Sequence, residues 1–292
     1  MPDLTSQLQS ALGTTYTISR ELGGGGMSRV FTALEVELGR TVVIKVLPPE
    51  MAAGVSAERF RREVQLAARL QHPHIVPLLT AGAAGDLLYY IMPHVEGESL
   101  RGRLARDREL PIAEAVRILR EVTDALAYAH AHGIVHRDIK PDNVLLSGKH
   151  AQVTDFGVAK AVSESAGKTM LTSMGVALGT PAYMAPEQAA ADPNTDHRAD
   201  IYAVGALAYE MLTGRPPFTA TSPQAMIAAQ VTATPDPLTR HRQSVPPALE
   251  ALVLRCLAKL PADRWQTAEE LHAQLESMTT PSGGTAPTGA VP

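Results

Sequence analysis

Residues 134–146 read Ile-Val-His-Arg-Asp-Ile-Lys-Pro-Asp-Asn-Val-Leu-Leu, and this stretch decides the reading of the chain. Apolar, strand-like ends enclose a run of polar groups: His136, Arg137, Asp138, Lys140, Asp142 and Asn143. A plain surface loop would be richer in Gly and Ser. Asp138 offers a carboxylate that can orient a hydroxyl nucleophile or accept its proton. Lys140 can neutralise charge on a transferring phosphoryl group. Downstream, Val153-Thr154 runs into Asp155-Phe156-Gly157. An acid that ends a strand, beside a glycine that permits an unusual turn, suits a cation ligand. Asp155 and Asn143 together supply hard oxygen donors of the kind Mg2+ prefers.

Upstream, residues 21–30 read Glu-Leu-Gly-Gly-Gly-Gly-Met-Ser-Arg-Val. Such a backbone can approach phosphate oxygens closely and offer free N–H donors. By itself the run is equally a loose hairpin tip. A dinucleotide-binding turn expects a helix next, but Val30-Phe31-Thr32-Ala33 follows as a second strand. A hairpin folded over a phosphate chain fits better. Lys45 interrupts the β-branched strand Val42-Val43-Ile44-Lys45-Val46-Leu47, on one face with Val43 and Leu47. It is either an edge lysine that snorkels to water or a cation aimed into a cleft. Glu63 borders the apolar stripe Phe60, Val64, Ala67 and Leu70 of a helix that Ser56 can cap. It is either a solvated border carboxylate or the partner that fixes the Lys45 ammonium.

Composition narrows the class. The chain has 292 residues, 45% hydrophobic and 19% charged, enough apolar content for a sizeable core. Its net charge of −4 argues against nucleic acid as the main partner. The single cysteine, Cys256, excludes an internal disulfide framework and reads as a buried helical thiol. No apolar run is long enough to span a membrane and no basic-then-apolar leader is present, so a cytoplasmic location is expected. The paired histidines His72/His74 and His130/His132 are explained without metal by the flanking Pro73 and by a helix end at Gly133.

Short strands dominate to about residue 95. Helices follow: one opened by Pro111 and closed by Gly133, an almost wholly apolar one over 201–212, one from Pro247 to about Leu260 and one from Ala268 to Met278. The expected layout is α+β: a polar lead over 1–15, a strand-rich lobe over 16–95, a helical lobe over 96–278 and a flexible Pro/Gly/Thr-rich tail over 279–292. A cleft lies naturally between two such lobes.

Taken together the motifs resemble the eukaryotic-type protein kinase family, in the style of bacterial serine/threonine kinases. They occur in order: Gly23-x-Gly25-x-x-Ser28-x-Val30, Val42-Val43-Ile44-Lys45, Glu63, His136-Arg137-Asp138, Lys140, Asn143, Asp155-Phe156-Gly157 and Ala185-Pro186-Glu187. The resemblance covers about residues 16–278. It implies an antiparallel-sheet lobe with one key helix above a mainly helical lobe, and transfer of the ATP γ-phosphoryl group to protein hydroxyls. It implies that the turn Leu22, Gly23, Gly24, Gly25, Gly26, Met27 and Ser28 covers the phosphates. Lys45 would contact the α- and β-phosphates while Glu63 holds it. Asn143 and Asp155 would bind Mg2+, with Mn2+ as an alternative, and Asp138 would be the catalytic aspartate. Lys140, two residues beyond it, is the serine/threonine form. Met92 would gate the adenine pocket, the Pro93 carbonyl and Val95 backbone would meet the adenine edge, and Val30, Val43 and Leu145 would sandwich the ring. Asp200 resembles the aspartate that anchors the catalytic loop, its alternative being a helix cap. Glu187 and Arg264 would form a structural ion pair. Departures are Ser28 in place of the third glycine, Val43 where alanine is usual, and Pro93, which lacks an N–H.

The stretch 158–178 has the Ser-, Thr-, Gly- and Ala-rich composition of a mobile loop. The family links Arg137 to a phosphorylated residue there. Thr172 is the first candidate, with Ser173 and Thr169 beside it, and a phosphate would add roughly −1.5 to −2 charge for Arg137 to meet. Thr180 is expected to shape the substrate site near Asp138. Protein substrates and self-association for autophosphorylation are the expected partners. An ATP-binding scaffold without transfer is the alternative. The sequence also leaves open a longer, membrane-anchored parent with this domain in the cytoplasm.

Overall fold

The structure, a computed structural model, describes residues 4–22, 29–47, 57–85, 87–157 and 181–279. The glycine-rich turn over 23–28, Ser56, the candidate phosphorylation sites Thr169, Thr172 and Ser173, Thr180 and the tail from 280 lie outside the described residues.

The first lobe is an antiparallel five-stranded sheet in the order β1-β2-β3-β5-β4. Its strands are β1 (Tyr16–Glu21), β2 (Arg29–Glu35), β3 (Arg40–Val46), β4 (Thr80–Ala84) and β5 (Leu87–Pro93). Period-2 alternation sorts the two faces. Val42, Ile44 and Val46 of β3 join Leu87, Tyr89 and Ile91 of β5 in an outer cluster. Val43, Leu88, Tyr90 and Met92 face the opposite way, into the large core shared with the helical lobe. Lys45 therefore leaves β3 on the inner face, as the alternation requires. Helix α1 (Leu4–Leu12) covers the outer face, with Leu8 and Leu12 buried in the outer cluster. The opening reads as polar because only one side of this helix is apolar.

Helix α2 (Ala57–Ala67) packs Phe60, Val64 and Ala67 into the inner core. Leu70 follows in a turn closed by its N–H on the Ala67 carbonyl. A three-stranded sheet of β6 (Glu98–Ser99), β7 (Val144–Ser147) and β8 (His150–Val153) forms the top of the helical lobe. Below it lie α3 (Leu100–Asp107) and α4 (Ile112–Ala131). At the end of α4 the Ile134 N–H reaches the Ala129 carbonyl at 3.0 Å and the Gly133 N–H reaches that of His130 at 2.9 Å. This paired closure needs a left-handed residue, and Gly133 supplies φ +73°.

The short α5 (Pro186–Ala189) precedes α6 (Arg198–Thr213), which is buried continuously from Ala199 to Leu212, as its all-round apolar sequence demands. Gly205 allows α6 to approach α8 (Pro247–Cys256) closely: a Cβ there would lie 2.6 Å from the Cys256 Cβ. Cys256 is buried, and burial pushes its thiol up to about 12. Helix α8 stops at Cys256, earlier than the expected Leu260. The carbonyls of Ala258 and Lys259 turn instead to the Arg264 guanidinium. Helices α7 (Pro223–Thr232) and α9 (Ala268–Thr279) complete the lobe.

Candidate active site

The site is assembled from the inner face of the sheet, the segment between α4 and β7, and the residues that follow β8. His136 is its structural centre, fully buried. Its Nδ1 accepts from the Asp138 N–H at 3.1 Å, so Nε2 carries the proton and donates to the Thr154 carbonyl at 2.8 Å. One ring thus ties the backbone before Asp138 to the backbone before Asp155. The ring also meets Phe156 edge-on at 4.7 Å between centroids.

Asp200, in the first turn of α6, accepts the His136 N–H at 2.8 Å and the Arg137 N–H at 2.7 Å, and meets His130 Nε2 at 2.8 Å. Of the two readings of Asp200, the loop anchor is the one the geometry supports. Burial alone would raise its carboxyl, but the hydrogen bond and charge of His130, with the loop amides, hold it below the usual carboxylate range. This clamp stabilises Arg137 at φ +66°, a left-handed conformation that costs a non-glycine residue about 1 kcal/mol or more.

Within the loop so held, Lys140 Nζ donates to Asp138 Oδ2 at 2.7 Å. The Asn143 amide donates to the Asp138 carbonyl at 2.8 Å and to Asp138 Oδ2 at 3.1 Å. Both amide hydrogens of Asn143 are thereby used, and its Oδ1 is turned away from Asp138. Asp155 is buried at φ +70°. Lys45 Nζ donates to its Oδ2 at 2.5 Å, and the Tyr90 hydroxyl donates to its Oδ1 at 2.7 Å. Burial would raise the Asp155 carboxyl; the Lys45 ammonium, with hydrogen bonds from Lys45 and Tyr90, outweighs it and holds the group low. Burial, reinforced by the Asp155 charge, pushes the Tyr90 phenol well above its ordinary value.

Gly157 continues the turn at φ +75°, and a Cβ there would lie 2.9 Å from the Ala67 Cβ. Glu63 is half-buried on α2 and lines, with Gly157, Leu70 and Ile134, a cavity of about 200 Å³. The residues expected around an adenine ring share one wall: Val43 and Met92 are buried in the inner core, with Val30, Val95 and Leu145 packed against it. Val43 lies opposite Met92 in the β3–β5 register and Val30 lies opposite Lys45 in that of β2–β3. The Met92 sulfur accepts from the Thr154 hydroxyl at 3.1 Å. Pro93 ends β5, and Leu22 follows β1 with its N–H on the Val30 carbonyl at 2.8 Å.

Behind the site, Arg264 grips Glu187 through two bonds of 2.6 and 2.7 Å, the ion pair expected between them. Two features carried no signal that sequence reasoning used. Tyr90 sits in a run of apolar strand residues; its position opposite Lys45 is the clue that a register would have supplied. Arg101 bonds Glu210 at 2.8 Å and Tyr183 at 2.5 Å, and Tyr183 also bonds Glu210, linking α3 and α6 to the turn before α5.

Two lobes, a polar loop clamped from beneath and two oxygen donors at the seam define a phosphotransferase-type nucleotide cleft. The chain belongs to the protein kinase family: residues 16–275 match the family described as protein kinase domain. It is similar to the serine/threonine-protein kinase PknB of Mycobacterium leprae, 40% identical over 270 residues that are 90% of this chain and 43% of that protein. PknB of Mycobacterium tuberculosis is 39% identical over 272 residues, 91% of this chain and 43% of that protein. Serine/threonine-protein kinase pkn3 of Myxococcus xanthus is 37% identical over 286 residues, 95% of this chain and 52% of that protein. The chain spans about half the length of the curated relatives it matches. The family uses ATP and a divalent cation and acts on proteins. No described helix is long and apolar enough to cross a membrane.

Proposed function

We propose that this domain transfers the γ-phosphoryl group of Mg-ATP to serine and threonine hydroxyls of proteins. The observation that carries the reading is the convergence of Lys45, Asp138, Lys140, Asn143 and Asp155 at one seam, each from a separate strand, turn or loop position and each oriented by a named partner. Asp138 accepts two donors on Oδ2, which fixes its carboxylate and leaves Oδ1 for a substrate hydroxyl. In that position it orients the alcohol for in-line attack and takes its proton. Lys140, already on Asp138, balances the charge of the transferring group. Lys45 has three N–H donors and can meet phosphate oxygens beside Asp155; the family pattern assigns Glu63 of α2 to hold it. Val30, Val43 and Leu145 hold the adenine, Met92 closes its rear, and Pro93 and Val95 present backbone to its edge.

Asp155 and the outward Oδ1 of Asn143 are a hard, all-oxygen donor set, which fits Mg2+ or Mn2+. Asp155 and Asn143 would hold the ion, which would supply positive charge to offset that developing on the transferring group. The turn over 23–28 is assigned to the phosphates on sequence, and Thr172, Ser173 and Thr169 to autophosphorylation, with a second copy as the first substrate. The location proposed for the domain is the cytoplasm, on its own or as the cytoplasmic part of a membrane-anchored parent.

Intact-mass measurement before and after incubation with Mg-ATP tests the proposal. Wild type is expected to gain whole phosphates at Ser or Thr. Asp138→Asn, which keeps the hydrogen-bonding shape, is expected to bind ADP normally and lose at least about 1,000-fold in transfer. Normal nucleotide binding with no transfer by wild type to itself or to a generic protein substrate would favour the scaffold instead.

A further inference from the structure

Tyr90 of β5 stands apart from the proposed machinery. Its side chain is among the largest that are wholly excluded from solvent. Nothing in the reaction as proposed uses it. Its place in β5 puts it directly opposite Lys45 of β3, and both side chains leave the sheet on the inner face. They converge on the two oxygens of one carboxylate, Lys45 on Oδ2 at 2.5 Å and Tyr90 on Oδ1 at 2.7 Å.

We infer that Tyr90 is a positioning residue for the divalent cation, acting through Asp155. Three observations carry this. First, the two donors differ in freedom. Lys45 is one-fifth exposed at the end of a flexible stem and has other donors to offer a phosphate. The Tyr90 ring is locked in the core, and its single O–H has Asp155 as its acceptor. Second, Asp155 sits at φ +70°, a conformation that persists only where its surroundings over-determine it. The Thr154 hydroxyl, the next group near Oδ1, is 3.4 Å away and also serves the Met92 sulfur at 3.1 Å. Third, a carboxylate oxygen has two lone pairs, so the phenol on Oδ1 restrains rotation of the group while Oδ2 keeps a lone pair beyond the one that meets Lys45. When Lys45 shares its donors with phosphates, Tyr90 is the contact that keeps the carboxylate aimed. Outer-shell partners of this kind are typically worth 10–100-fold in metal affinity or activity.

The inference rests on Asp155 being a cation ligand, so the experiment carries separate arms. Mn2+ binding to the kinase–ADP complex is measured by electron paramagnetic resonance, alongside ADP binding without metal by calorimetry. Tyr90→Phe removes one oxygen and keeps the ring. It is expected to weaken Mn2+ about 10-fold and to leave metal-free ADP affinity and the protein-substrate KM unchanged. The Mg2+ concentration for half-maximal transfer should rise by a similar factor. Tyr90→Met, which fills the core position without a hydroxyl, should reproduce the metal shift. Asp155→Asn tests the parent reading and should abolish Mn2+ binding. Mn2+ affinity within twofold of wild type in either Tyr90 variant, with Asp155→Asn inactive toward metal, overturns the inference and leaves the parent reading standing. Equal loss of metal-free ADP binding in both Tyr90 variants also overturns it, because it makes Tyr90 a packing residue. Undiminished Mn2+ binding in Asp155→Asn overturns the parent reading itself.

Discussion

Replacing Arg264 by methionine should remove a large share of the stability of this domain. The Arg264 side chain is wholly buried and that of Glu187 is 9% exposed. All the guanidinium N–H groups are spoken for: Nη1 and Nη2 meet the two Glu187 oxygens, and the remaining donors reach the Ala258, Lys259 and Arg198 carbonyls at 2.8–3.0 Å. Arg264→Met strands a buried carboxylate and three carbonyls together. Removing one partner of a buried pair costs about 3–5 kcal/mol, and the carbonyls place the expectation at about 5 kcal/mol. Against a typical total of 5–15 kcal/mol, the urea midpoint should fall by about 2 M at a slope of 2–3 kcal/mol per M. Trp265, the only tryptophan, reports unfolding by fluorescence, with far-UV circular dichroism as a probe remote from the change. Glu187→Gln/Arg264→Met leaves no buried charge and should regain about 2 kcal/mol over Arg264→Met. A loss under about 1 kcal/mol in Arg264→Met, or strict additivity of the two changes, would refute this account of the pair.

Gly157→Ala combines the cost of φ +75°, about 1–2 kcal/mol, with a Cβ forced to 2.9 Å from that of Ala67; a loss of about 2–4 kcal/mol in thermal unfolding is expected. Adding Ala67→Gly should relieve the contact and leave the backbone cost, and an unchanged melting temperature in Gly157→Ala would sink the argument. Lys259 offers a pH test: burial, aided by the Arg264 charge, pushes its amine down from 10.5 to about 8. The unfolded chain then holds the extra proton between those values, so the Lys259 contribution to stability rises with pH across that window. Because the side chain is only half-buried, screening should keep the gain below about 1 kcal/mol. Its bond to the Gln230 carbonyl, 2.6 Å, needs only an N–H and survives deprotonation. Lys259→Met should flatten the rise, and identical pH profiles for the two proteins would contradict it.

The parts of the site that sequence alone makes legible are those where a residue breaks a local rule. Lys45 in a β-branched strand and the polar run 136–143 between apolar ends are such breaks, and each leads to the seam. The Glu187–Arg264 pair was legible through the family resemblance, since nothing local links residues 77 positions apart. Tyr90 obeys every local rule: an aromatic in a central strand is ordinary, and only register with β3 and the fold of Asp155 give its hydroxyl a partner. Arg101, Tyr183 and Glu210 likewise break no local rule, because their meeting is a product of three separate elements. The early end of α8 shows the reverse effect. Its apolar pattern runs on to Leu260, but the Leu257 N–H is shared between the Val253 and Leu254 carbonyls and the Ala258 N–H bonds three residues back, to Arg255. The nearby Arg264 guanidinium draws the Ala258 and Lys259 carbonyls out of the helical path.

The helix α1 has a practical consequence. Family similarity starts at residue 16, so a recombinant fragment trimmed to the homologous boundary would discard Leu4–Leu12. Such a fragment would bare Phe31, Val42, Ile44 and Ile91, a greasy plate on the back of the sheet. Aggregation or artificial pairing of trimmed protein would then report on where the cut was made, not on how the intact molecule behaves.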